Sequence, residues 1–353
     1  MYRSFIVTIC FGVFFTILNL SCSSIIYRTA HPALSDGKYD SEFPYNNSSK
    51  QLEEISNSLY RINSIAFYKA YIFADNSKFK LKNLTDAIVR NQSIKTTFLD
   101  KSSSGTGTVI YSSNGTVGLL TCAHVVDFPD TLVTYFGNKD GTYTDEVQSI
   151  AFKSSQSIYA AGFPAGSEVK EILSDKDIDI AVLGNNFGPK YALSFPEFKY
   201  PYGEAKDLEW GSFVYVFGFP LNYKMISSAI VSSPNYDKNG SFFIDAVVNR
   251  GYSGGIVLAV RDGVPNFELV GIIEWVPEES DNVLTPAPLP ETLKYNPLVP
   301  YNGEQYVKQE KVLKYGIAKV ISIETIIDFL KKNKDYFLSE GYYFPVYDEA
   351  KKK

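Results

Sequence analysis

Asn249-Arg250-Gly251-Tyr252-Ser253-Gly254-Gly255-Ile256-Val257 follows directly on the apolar run Phe242-Phe243-Ile244-Asp245-Ala246-Val247-Val248. The run reads as a strand that enters a tight turn carrying one serine among glycines. Glycine reaches positive φ and lets backbone approach a bound group closely. A nucleophilic serine needs such a turn, because its Oγ must project while neighbouring N–H groups face the oxyanion of a tetrahedral intermediate. Taken alone, the stretch has a second reading, a glycine-rich β-turn between two strands.

The rest of the chain narrows the choice. A length of 353 residues suits one large domain or two small ones. Abundant aromatics, 26 Tyr and 25 Phe, favour strands over helices. The net charge of −5 leaves no basic footprint, so nucleic acid is not an expected partner. No Walker-type loop, GxGxxG or CxxC pair occurs, and no metal or cofactor is expected. The only two histidines are His31 and His124, so any imidazole base is one of these, and a His-rich zinc site is disfavoured. Of the three cysteines, Cys10 lies in an apolar run expected to be removed. With Cys22 read as lipidated, Cys122 has no intrachain partner and is expected to be a small buried apolar residue.

Residues 1–21 read as a secretion signal, with Arg3 near the start and an apolar run from Phe5 to Leu18 that is short for a membrane span. Leu20-Ser21-Cys22-Ser23 then resembles the lipobox of bacterial lipoproteins, with Asn19 departing from the usual leucine. The resemblance implies lipidation at Cys22, anchorage to a membrane through acyl chains, and a place in the bacterial cell envelope facing periplasm or cell surface. An ordinary signal peptide with an incidental cysteine is the other reading. Residues 22–50 are polar, lack periodicity and read as a flexible tether that includes His31.

Residues 51–99 are expected to form an extension at the domain edge. Leu52, Ile55 and Leu59 have helical spacing, Ile65 to Phe73 reads as a strand, and Leu84 to Val89 as a short helix. Then Thr106 to Tyr111, Asn114-Gly115 and Val117 to Thr121 form a hairpin pattern, which delivers Thr121-Cys122-Ala123-His124. His124 is either a core histidine at a strand end or a base. Further strands are expected at Thr131–Phe136, Val147–Phe152 and Glu168–Leu173, before Asp177-Ile178-Asp179-Ile180-Ala181-Val182-Leu183. A buried carboxylate is costly unless hydrogen-bonded, so Asp179, leading so apolar a strand, is paired or sits in an exposed turn. After Ser253, strands are expected at Ile256–Val260 and Leu269–Val276, and residues 277–302 read as an inserted proline-rich loop. A last strand and a helix from about Ser322 follow, with Ile323, Ile326, Ile327 and Leu330 on one face.

These motifs together resemble the trypsin-like (chymotrypsin-fold) serine peptidases over roughly residues 100–330. Asp245-Ala246, Asn249-Arg250-Gly251 and Ser253-Gly254-Gly255 resemble the bacterial HtrA/Deg branch in particular. The resemblance implies an all-β fold of two packed antiparallel six-stranded barrels with a C-terminal helix. The domain would run over 100–335, its barrels over about 100–190 and 205–322, leaving a tail at 336–353. About twenty residues after the helix are too few for a PDZ domain. The order His124, Asp179, Ser253 is that of chymotrypsin-like barrels. The resemblance implies that His124 is the base, Asp179 its orienting carboxylate and Ser253 the nucleophile, with Gly251 and Ser253 N–H groups as the oxyanion hole. It further places Val247 at the base of the substrate pocket, Val276 on its wall and Glu274 where a small polar residue is usual.

The expected activity is a serine endopeptidase of cell-envelope proteins, acting on protein or peptide substrates and possible as a homo-oligomer. A catalytically silent binding protein on the same fold and a structural surface lipoprotein are the alternatives. Cys22→Ala is expected to abolish acylation, which palmitate labelling would read directly; unchanged labelling would remove the anchor.

Overall fold

The computed structural model describes residues 35–138, 142–164, 168–275, 278–287, 289–290, 292–313 and 316–348. Fifteen strands dominate it. A short helix α1 (Ser49–Ser56) leads into β1 (Leu59–Ile72), and helix α2 (Asp86–Gln92), capped by the Thr85 hydroxyl, precedes β2 (Lys95–Ser113). Next come β3 (Thr116–Thr121), β4 (Thr131–Gly137), β5 (Tyr143–Ala160), β6 (Glu168–Asp175) and β7 (Ile180–Asn186). Strands β1-β2-β3-β7-β6-β5 close into a ring through the β1–β5 pairing, and β4 rides on β5. The turn from β2 to β3 has Asn114 and Gly115 at φ +50° and +82°, the left-handed pair that a two-residue hairpin requires.

The second ring holds β8 (Phe213–Gly218), β9 (Met225–Ser233), β10 (Phe242–Ile244), β11 (Ile256–Val260), β12 (Phe267–Trp275) and β15 (Ala318–Ser322). It closes in the order β10-β15-β12-β11-β8-β9. The fold is therefore the two-barrel, all-β architecture expected from the sequence. One apolar core runs through both rings, from Val117 and Leu183 in the first to Leu258 and Ile272 in the second. Burial of this kind, at roughly 25 cal/mol per Å² of apolar surface, is the dominant stabilising term.

Four segments depart from the expectation. The supposed edge extension supplies β1, a full stave: Ile62, Ala66 and Tyr68 are buried, and β1 pairs along its length with β2 and β5. From Ile62 to Ala70 its buried residues alternate in steps of two, and Leu59, which has helical spacing from Ile55, begins the strand. The region expected to be an unstructured insertion forms a hairpin, β13 (Glu278–Pro286) on β14 (Gln305–Leu313), with the prolines from Pro286 onward gathered toward its tip.

The tail is not loose either. Helix α3 (Ile323–Lys332), capped by the Ser322 hydroxyl, buries Ile323, Ile326 and Leu330. After α4 (Lys334–Ser339), the chain lays Tyr342 and Phe344 over the first barrel at Gly118, with Tyr342 also over Gly184. That cover explains why β7 reads as an unbroken apolar run: the outer face of the strand is packed as well as the inner. The fourth departure is the end of the tether. Asp40 N–H donates to Val260 O and Phe213 N–H to Asp40 O, while the Arg261 guanidinium stacks 4.0 Å from the Tyr39 ring. Signal, lipidation site and His31 lie outside the described residues.

This clasp contains a weak point. Asp40 Oδ2 accepts the Gly263 N–H, but Oδ1 is buried without a partner. Burial pushes the Asp40 carboxyl up to about 6, the Gly263 bond opposing and the neighbouring Asp262, Asp36 and Glu42 charges adding to the rise. A carboxyl raised in the folded state contributes stability that is fully present below its unfolded value and lost as pH rises through about 6. The wild-type protein should therefore gain stability relative to Asp40→Asn as pH falls from 7 to 5. Solvent screening limits the gain to on the order of 1 kcal/mol. Parallel thermal melts at the two pH values measure it.

Candidate active site

Asp179 ends the β6–β7 turn with φ +55°, a left-handed conformation that aspartate tolerates better than most residues. That bend turns its carboxylate onto the short 3-10 turn Ala123–Val125 after β3. Oδ1 accepts the His124 backbone N–H at 2.8 Å, and Oδ2 lies 2.7 Å from His124 Nδ1. The Asp179 backbone carbonyl accepts the Ala123 N–H at 3.2 Å. An ionised carboxylate only accepts, so Nδ1 carries the proton and Nε2 is left as the basic nitrogen. The imidazole is half-exposed while the carboxylate is mostly covered. Asp177 is exposed in the same turn, its N–H bonded to Asp175. The structure thus joins His124 to Asp179.

Ser253 sits in the turn between β10 and β11. Gly251 and Gly254 have φ of +105° and +80°. A Cβ on Gly251 would strike the Phe219 carbonyl, and one on Gly254 the Thr106 carbonyl, so neither position accepts a side chain. The Arg250 carbonyl accepts the Leu221 N–H at 3.3 Å. In a planar trans peptide the next N–H points the opposite way, which turns the Gly251 N–H off Leu221. Among the described residues, neither Gly251 N–H nor Ser253 N–H has a hydrogen-bond partner. Two unpaired donors flanking one serine are what an oxyanion hole needs.

Two ties bring the serine turn to the histidine. Gly254 N–H donates to Ile273 O at 2.8 Å, and the Cys122 thiol donates to the same carbonyl at 3.2 Å. Thus the residue after Ser253 and the residue two before His124 meet on one atom of β12. Among the described residues no hydrogen bond links Ser253 Oγ to His124. Cys122 is free, fully buried and, by that burial, has its thiol pushed up. Cys122, His124 and Asp179 offer ligand atoms within 4.8 Å of one another. Metal binding there would need a thiolate, which burial opposes, and an Asp179 whose oxygens are both already engaged by His124. The chemistry of the three groups suits an oriented imidazole.

Thr106 is a residue whose role sequence reasoning missed. Its hydroxyl donates to Gly251 O at 2.7 Å and accepts the Phe219 N–H at 3.1 Å. Its N–H donates to Ser253 O at 2.8 Å, and its carbonyl accepts the Thr121 hydroxyl. A strand of the first barrel thereby grips the serine turn of the second at both Gly251 and Ser253. The only sequence signal was a threonine between Gly105 and Gly107. Tyr252 is likewise an anchor: its ring is buried against Gly218 and its hydroxyl pairs with Ser227 Oγ at 2.7 Å.

The expected substrate pocket fares differently. Val247 is 69% exposed between buried Ala246 and Val248. Val276 lies outside the described residues. Glu274 is largely buried, and its carboxylate lies 2.8 Å from Lys319 Nζ. Burial raises its carboxyl, Lys319 opposes, and the Asp179 and Asp237 charges add to the rise.

Comparison with known proteins agrees with the fold. Residues 105–272 match the model of the trypsin-like peptidase domain, a span that contains His124, Asp179 and Ser253. Among solved structures, the chain is similar to the crystal structure of Deg5, at 15% identity and a TM-score of 0.35, over 65% of this chain and 87% of that one. No curated protein matches the chain in sequence.

Thr106→Val keeps the shape of the side chain but leaves Gly251 O and Phe219 N–H buried without partners, at about 1–3 kcal/mol. It is expected to lower reactivity at Ser253 more than tenfold while the barrels persist. Active-site titration alongside circular dichroism separates the two effects.

Proposed function

We propose that this chain is a serine endopeptidase with His124 as general base, Asp179 as its orienting carboxylate and Ser253 as nucleophile. The single observation that carries the reading is the 2.7 Å pairing of His124 Nδ1 with Asp179, which leaves Nε2 basic on the side chain the fold keeps half-exposed. Support comes from the adjoining serine turn with its two unpaired N–H groups and from the match to the trypsin-like peptidase domain.

In this reading Ser253 Oγ attacks the scissile carbonyl carbon as His124 Nε2 takes its proton. The carbonyl electron pair moves onto oxygen, where the Gly251 and Ser253 N–H groups receive the charge, each worth ~3 kcal/mol. Asp179 holds the tautomer and stabilises the imidazolium. Collapse of the intermediate breaks the C–N bond, His124 protonates the leaving amine, and water then releases the acyl group by the same steps. The substrates are proteins or peptides of the bacterial cell envelope, and the mature chain is held there by acyl groups on Cys22. Domain limits of 100–335 require extension to include β1, since the first barrel does not close without it.

Glu274 bears on specificity. A free carboxylate at the cleft would favour a basic residue before the scissile bond, but this one is committed to Lys319. A guanidinium would gain no unshared partner there and would meet the cost of burying an unpaired charge. Small or medium aliphatic side chains are therefore the expected preference, and a peptide library dominated by Arg or Lys cleavage would overturn it.

One observation favours the second reading, a catalytically silent binding module on the same barrels: Ser253 Oγ has no hydrogen bond to His124 among the described residues. A fluorophosphonate probe separates the two, since it labels only an activated serine. Labelling of the wild type and its loss in Ser253→Ala is the expected result. His124→Ala and Ser253→Ala should each lower kcat by about 10⁴ or more, with the double variant hardly worse, because the residues act as a unit. Hydrolysis that survives His124→Ala would refute the assignment.

A further inference from the structure

Glu274 occupies an unusual place in β12. The pairing of β12 with β15 steps from Ile273↔Val320 to Trp275↔Lys319, so Glu274 is the extra residue of a β-bulge. Bulges re-aim a side chain and recur beside active sites. This one follows the Ile273 carbonyl on which the serine turn and the histidine turn are both tied. The Cys122 thiol reaches the Ile273 carbonyl at 3.2 Å, and the same thiol lies within 4.8 Å of the Asp179 carboxylate, so Glu274 leaves the strand next to the Asp179 site; the Asp179 charge adds to the rise of its carboxyl.

Lys319 meets that charge. Its Nζ lies 2.8 Å from Glu274 and 3.7 Å from Asp237, and the Lys319 and Glu274 side chains are only 19% and 16% exposed. Asp237 is in turn fixed by the N–H groups of Asn239 and Ser241. The other charged groups on the elements around His124 are Asp127, paired to Lys176 at 2.7 Å, Asp130, paired to Lys153 at 2.8 Å, Asp175 and Asp177 in the turn that carries Asp179, and Arg250 on the serine turn. Cys122 is buried with its thiol pushed up, and so is neutral. Of these charges, Glu274 is the one on the strand where the two turns meet, and Lys319 reaches it from the neighbouring strand β15.

We propose that Lys319 is a positioning residue: by neutralising Glu274 on the bulge, it lets a second carboxylate lie beside Asp179 without drawing Asp179 off His124. The proposal rests on the peptidase reading for its catalytic consequence, though the electrostatic claim stands apart from it. Removing Lys319 leaves Glu274 facing Asp179 uncompensated, and extra negative charge favours the imidazolium. Removing Glu274 instead leaves an unmatched ammonium, which disfavours it. The two single substitutions should therefore push His124 in opposite directions, and the pair of substitutions together should nearly cancel.

The test uses the full chain with Lys319→Met, Glu274→Gln, the double variant and Lys319→Arg. The acid limb of the kcat/KM profile should move to higher pH in Lys319→Met and to lower pH in Glu274→Gln, by roughly half a unit or more. It should return close to the wild-type position in the double variant and stay there in Lys319→Arg. The His124 imidazole resonance, one of only two in the chain, is titrated by NMR in parallel. Loss of activity with an unmoved limb and unmoved resonance would reduce Lys319 to a structural residue and overturn the proposal, as would shifts of the same sign in both single variants. Glu274→Gln is nearly isosteric and keeps the test alive should Lys319→Met fail to fold. If the wild type proves not to hydrolyse peptides, the NMR titration still decides the electrostatic claim, so the two failures are distinguishable.

Discussion

The hydroxyl of Thr106 donates one hydrogen bond and accepts another, and the geometry of the serine turn depends on both. Its donor goes to Gly251 O and its acceptor takes the Phe219 N–H, so three stretches of chain from two barrels converge on one oxygen. The backbone of the same residue holds Ser253 O. A turn with two left-handed glycines has little stability of its own, because glycine loses more conformational freedom on folding than any other residue. The conformation persists because it is tied from below by Thr106, packed from behind by Tyr252 and anchored in front at Ile273 O. The site is an inter-barrel object, and neither barrel would hold it alone.

A similar economy governs the acid. Asp179 takes the backbone and the ring of His124 with one carboxylate, so a single side chain sets both where the histidine turn lies and which way the imidazole faces. The charge cluster behind it follows the ordinary rule for buried ions: partners are close, or the group gives up its charge. Glu274 and Lys319 obey it across a bulge, Arg261 and Glu268 beside the turn of the β11–β12 hairpin.

How much of this was legible in the sequence depended on the range of the signal. The hairpin at Asn114-Gly115, the cap at Ser322 and the glycine pattern around Ser253 are local, and each was readable because a backbone conformation demanded those residues. His124 and Asp179, read from separate motifs, are joined by hydrogen bonds. What escaped was set by distant packing. Nothing near Leu59–Ile72 says that this strand completes a barrel whose other staves begin at Lys95. Tyr39 looked like tether until Arg261 was found stacked on it. Thr106 stands out only as a threonine between Gly105 and Gly107, which says nothing of its hydroxyl's role, because its partners Gly251 and Phe219 lie far along the chain.

The hairpin β13–β14 stands between the two strands that close the second barrel, with Trp275 paired to Lys319 across it. Loop-closure entropy grows only slowly with length, so an insertion there disturbs stability little. Its effect falls on the order of events, because distant pairings form late. The meander from β8 to β11 can assemble from near neighbours, whereas β15 must be recruited from beyond the insertion. A chain still being made therefore exposes Ser253 long before Lys319, and the stave that seals the barrel is among the last segments to arrive. The arrangement around Ser253 is in this way complete only when a strand from beyond the insertion has joined the ring.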